Sequence, residues 1–86
     1  MTADRRAALS PVVDAAQRVA GIVAARGRGD ANGARELLLS FDDERELATG
    51  ALLVAELSLG LLQRETGEPL ESCVRDLCLQ LEASLT

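Results

Sequence analysis

Histidine, lysine, tryptophan and tyrosine are missing from the 86 residues, and Phe41 is the one aromatic. Without histidine there is no imidazole for acid–base catalysis, and a zinc site would have only two cysteines and carboxylates to draw on. Without a set of aromatics there is no platform on which bases could stack, as single-strand and RNA modules require. Two cysteines are too few for a disulfide scaffold. Two prolines and seven glycines leave little punctuation, and β-branched residues are sparse, which argues against strands. The net charge of −5 is too small, and the apolar share of 48% too large, for a disordered chain.

What remains is leucine (16), alanine (14) and arginine, which supplies all nine basic residues. Arginine in place of lysine, with so much alanine, is what GC-rich coding produces. The length sets one domain. Arg5 and Arg6 are not followed by an apolar run of signal-peptide length before Asp14. The most apolar stretch, Leu47 to Leu62, carries Glu56 at its middle and is shorter than the roughly 20 residues of a membrane span. The expectation is a soluble, cytoplasmic protein.

Four stretches have helical periodicity: about 11–26, 31–41, 43–66 and 69–84. Ser10-Pro11 reads as a cap followed by proline at the first helical position. Gly27 and Gly29 break the chain before a capping Asp30; Asp43 with Glu46 has capping-box spacing; Gly67 and Pro69 end one helix and open the next. Short loops make neighbouring helices antiparallel. The expected fold is therefore all-α, a small antiparallel bundle of four helices. Residues 1–9 form an N-terminal tail or helix extension, and 10–86 a single helical domain.

In the first helix Val12, Val19 and Val23 share a stripe, flanked by Ala15, Ala16, Ala20 and Ile22, a thin face that lets another backbone come close. The second is short, with Ala34, Leu37, Leu38 and Phe41 on one side. The third is apolar over more than one stripe: Leu47, Val54, Leu57 and Leu61 define one face, Ala51, Ala55, Ser58 and Leu62 widen it, and Leu52 and Leu59 lie further round. The fourth sets Leu70, Cys73, Val74, Leu77, Cys78, Leu81 and Leu85 against Glu71, Arg75, Asp76 and Glu82, leaving Leu79 among the charges.

Cys73 and Cys78 are about 140° apart around a helix and cannot bridge each other; both read as small buried hydrophobes. The acids at 42, 43, 44 and 46 belong to a helix N-terminus, whose dipole they oppose. Glu56 faces solvent along a narrow polar strip; buried beside Arg18 or Arg35, it would be a register-setting charge. Residues 1–35 carry +3 and residues 36–86 carry −8, so the two halves attract. Gly27, Gly29 and Gly33 lack the strand and the Lys-Ser/Thr of a phosphate loop.

The opening of the second helix, Gly29-Asp30-Ala31-Asn32-Gly33-Ala34-Arg35-Glu36-Leu37-Leu38, is similar to the start of a tetratricopeptide hairpin, without the 34-residue period. More broadly, Gly29-Asp30-x-x-Gly33-Ala34-x-x-Leu37, the Leu/Ala-rich third helix and Glu65-Thr66-Gly67-x-Pro69-x-Glu71 resemble small all-helical proteins of unknown function from actinobacteria and their phages. That resemblance implies no catalytic residue. The expectation is a non-catalytic interaction or regulatory module, with no cofactor and no metal. It self-associates as a homodimer through Leu52, Ala55 and Leu59 of the third helix, with Leu79 assisting. The alternative is a nucleic-acid-associated regulator using Arg5, Arg6, Arg18, Arg26 and Arg28, which the net acidity opposes.

Overall fold

Leucine, alanine and arginine are strong helix formers. In the computed structural model, which describes residues 3–85, they build four helices: α1 (Ala3–Gly27), α2 (Ala31–Leu39), α3 (Glu44–Thr66) and α4 (Leu70–Ala83). The chain is all-α, with no strand among the described residues. Residues 1, 2 and 86, the ends of the expected tail and domain, lie outside them.

The helix boundaries follow local chemistry. Gly29, at φ 77°, closes α1. Its N–H donates to the Arg26 carbonyl and the Asp30 N–H donates to the Ala25 carbonyl, the paired bonds of a Schellman ending. Asp30 then caps α2, its carboxylate accepting from the Gly33 N–H at 2.9 Å. The Ser40 hydroxyl donates to the Leu37 carbonyl and closes that helix two residues sooner than expected. Asp43 accepts from the Glu46 N–H at 2.7 Å. At the far end of α3, Gly67 (φ 72°) donates to the Gln63 carbonyl. Pro69 stands just outside α4 as its extended cap, one place earlier than expected.

One start was misplaced. Ser10-Pro11 does not begin α1; the helix runs through it from Ala3, so residues 3–9 are helix extension and not tail. Proline has no N–H for the carbonyl four residues back, which normally breaks a helix. Here the residues before it are mostly Ala and Arg, and the Ser10 hydroxyl donates back to the Arg6 carbonyl at 3.0 Å in place of capping forward.

Where a single domain over 10–86 is expected, the chain divides into two compact units, with the boundary between Val54 and Ala55, inside α3. The first unit holds α1, α2 and the opening of α3. Its core consists of small residues: Ala15, Ala16, Val19, Ala25 and Ala34 are buried, and so is Gly50. Val12 and Ile22 are half-buried, but Val23 and Leu38, expected to face the core, are exposed. A Cβ on Gly50 would lie 2.7 Å from the Ala15 carbonyl carbon. Helix α1 thus meets α3 backbone to backbone, as its alanine-rich face anticipates. Ala15 meets Gly50 and Arg18 meets Glu46, which makes the two helices antiparallel. Gly21 opens room for the Leu37 side chain, and α1 and α2 pack against each other.

The second unit is a hairpin of the remainder of α3 and α4. Of the seven α4 residues expected to face a core, Cys73 alone is buried; Leu70, Val74, Leu77, Cys78, Leu81 and Leu85 are exposed. Leu57 and Leu61 of α3 are about 60% exposed, although they continue the stripe of Leu47 and Val54. Period 3.6 places these residues on one side of each helix; the expectation that they face a core is not met, because they stand exposed.

Candidate functional site: an arginine hub and an open apolar face

The densest polar constellation is centred on Arg18. Its guanidinium donates to the Glu46 carboxylate and pairs with Asp14, one turn back on α1, at 3.0 Å. It also donates to the carbonyl and hydroxyl of Ser40, at 3.1 and 3.2 Å. The same group lies over the Phe41 ring, 4.2 Å from its centroid. One side chain therefore ties α1, the corner after α2 and the first turn of α3. The Glu46 hydrogen bond, and then the nearby carboxylate charges, raise the Arg18 pKa above the ordinary arginine value. A raised arginine pKa stabilises the folded state at every pH below the unfolded value and is lost only as pH rises through the folded one, in strong alkali.

Glu56 is exposed, as its place on the narrow polar strip leads one to expect, and makes no ion pair among the described residues. Arg18, one of the two partners a buried Glu56 would have had, pairs with Glu46, so the charge that links α1 to α3 is Glu46. The readable signal was the Asp14–Arg18 spacing of four; the partner across helices has no local signature. The hub is occupied by its own counter-ions. Of the five arginines that a phosphate-binding reading would use, Arg18 is thus engaged, and Arg28 pairs with Asp30 at 3.6 Å.

The expected interface residues lie apart from this hub. Leu52 and Leu79 are 61% and 57% exposed, Ala55 is exposed and Leu59 half-buried. Within the hairpin, Ala55, Leu59 and Leu62 of α3 and Leu77 and Gln80 of α4 line an open, largely apolar cleft of about 350 Å³. Cys73 is buried, its sulfur 3.9 Å from the Thr66 hydroxyl. Cys78, expected to be buried as well, is exposed, as the angle of about 140° between the two requires once one of them faces α3.

A smaller cleft, about 260 Å³, lies among Pro11, Val12, Ala15, Asp43, Glu46 and Thr49; Asp43 and Glu46 there are engaged in the cap and the hub. No cluster of three or more metal-ligating side chains occurs among the described residues. Two helical segments, Arg5–Gly27 and Glu44–Thr66, are long and apolar enough by length and composition to cross a membrane. A helix whose apolar face meets another helix passes the same test. Comparison with known proteins finds no matching family model, no matching curated protein and no matching solved structure.

Proposed function

We propose that this chain is a non-catalytic protein–protein interaction module of the cytoplasm that associates with itself through the apolar third helix. The observation that carries the reading is the exposure of α3: Leu52, Leu57, Leu61 and Leu62 are all open, on more than one side of the helix. Burying one such leucine stabilises an assembly by roughly 1.5–3 kcal/mol. Exposed apolar side chains of this size and number mark an interface in a folded chain. Leu52 and Leu59 stand one heptad apart, with Ala55 between them as a point of close approach, and Leu79 adds to the surface from α4.

Light scattering at micromolar concentration is expected to give twice the mass of one chain. The paired substitutions Leu52→Glu and Leu59→Glu are expected to return the protein to one chain, with helix content by circular dichroism unchanged. A wild-type monomer overturns the reading. So does a monomer that floats with lipid vesicles, which would place the apolar helices in a bilayer.

A further inference from the structure

We propose that α4 is a hinged cover over the self-association face of α3. It turns about Gly67–Pro69, lifts Cys73 from its place beside Thr66, and yields Ala55 and Leu59 to the second copy. This rests on the self-association reading above and adds how that face is regulated.

The overlap of two surfaces carries the argument. At 100° per residue, Leu52, Ala55 and Leu59 span about 60° around α3. The α3 side of the hairpin cleft is lined by Ala55, Ser58, Leu59 and Leu62, facing Leu77 and Gln80 of α4. Ala55 and Leu59 thus belong to both surfaces, whose centres lie about 40° apart around the helix. Two helices packed on a third at equal spacing stand about 60° apart or more, so a helix of the second copy seated on Leu52, Ala55 and Leu59 meets α4 where it stands. The cleft, about 350 Å³, is also well short of the roughly 850 Å³ that two turns of a helix occupy. Leu79 points the same way. It lies about 120° round α4 from Cys73 and turns away from α3 while Cys73 is seated, so its share in the interface requires α4 to move.

The seat of α4 is slight and its connection is built to turn. Cys73 is the one buried residue of the helix, and its sulfur meets the Thr66 hydroxyl at 3.9 Å. Leu70, Val74, Leu77 and Leu81 stay 40–59% exposed with α4 in place, so lifting the helix uncovers little that is not already open. Gly67, Glu68 and Pro69 alone separate α3 from α4. Gly67 stands at φ 72°, and glycine moves between left- and right-handed backbone without the steric cost other residues meet. Pro69, at φ −60°, holds the entry to α4 fixed, so rotation falls on Gly67 and Glu68.

Thiol labelling and sedimentation of the full chain test this together. In a Cys78→Ala background Cys73 is the one thiol, and its reaction with a maleimide is followed as the protein is concentrated through the dimer transition. Cys73 is expected to react about tenfold faster or more in the dimer, because α4 is lifted there. Leu77→Ala trims the underside of the cover and leaves α3 intact. It is expected to tighten the dimer by roughly three- to tenfold, through a larger open fraction. A dimer in which Cys73 reacts at the monomer rate or more slowly, or one that Leu77→Ala weakens or leaves unchanged, overturns the cover and leaves self-association through α3 standing. A wild-type monomer overturns both.

Discussion

The two units of this chain are built on opposite terms. In the first, small residues let backbones meet, and a single arginine ties three segments together. In the second, long leucines line two helices, and one cysteine is all that they bury. The difference shows that apolar content is not core: the unit with the smaller side chains is the one that closes on itself, because its faces have partners. A face of leucines without a partner has the composition of an interior and the exposure of a surface.

The largest effect expected from a single change lies where the first unit is tightest. Gly50→Ala puts a Cβ 2.7–2.8 Å from the carbonyl carbon and oxygen of Ala15. Backbone cannot step aside as a side chain can, so α1 and α3 must separate. Overpacking of this kind costs about 1–3 kcal/mol, and thermal unfolding should show it as a fall in Tm. A variant as stable as wild type would mean that the close approach of α1 and α3 is not what holds this unit.

Arg18→Ala should come next, with a smaller fall in Tm. It leaves Glu46 without its cation and removes the link to Ser40 and the Phe41 ring. The two cysteines make the comparison between units sharper. Cys73 is buried in the second unit and Cys78 is open, so the rate at which Cys73 reacts with a thiol reagent reports local opening of the hairpin. Arg18→Ala should lower Tm and leave that rate unchanged under native conditions. Faster labelling of Cys73 in the variant would show that the units unfold as one.

The sequence carried the punctuation well. Asp30, Asp43, Gly29 and Gly67 act through hydrogen bonds to residues within five positions, and such signals are complete in a short window. Ser10-Pro11 has the same local form and misled, because the Ala- and Arg-rich turns before it continue the helix past the proline. The hub was half legible: Asp14 and Arg18 are one turn apart, but Glu46 is brought to them only by the fold. Gly50 carries no mark distinguishing it from Gly60, since what separates them is the distance to another helix. For the apolar faces, period 3.6 fixes which residues share a side of a helix and is silent on whether anything lies opposite. That is why Leu57, Leu61, Leu70 and Leu81 read as core and stand open.

The smallest effect should have the opposite sign to the first. Gly60 lies in the interior of α3, in the second unit, and a Cβ there would meet nothing within 4 Å. Glycine in a helix interior costs about 0.5–1 kcal/mol relative to alanine, through the freedom it gives the unfolded chain. Gly60→Ala should therefore stabilise the protein by about that amount, while the same substitution ten residues earlier on the same helix destabilises it. The pair isolates packing from propensity, because residue type, helix and chemical change are identical. The sign at position 60 also bears on how the second unit is covered. Gly60 belongs to the narrow polar strip of α3 with Glu56 and Arg64, on the side of the helix away from the α4 cleft, so the gain should be the same in dilute and concentrated protein. A gain in dilute solution that becomes a loss on concentration would show that a second copy closes over Gly60, and would move the dimer surface from the apolar to the polar side of α3.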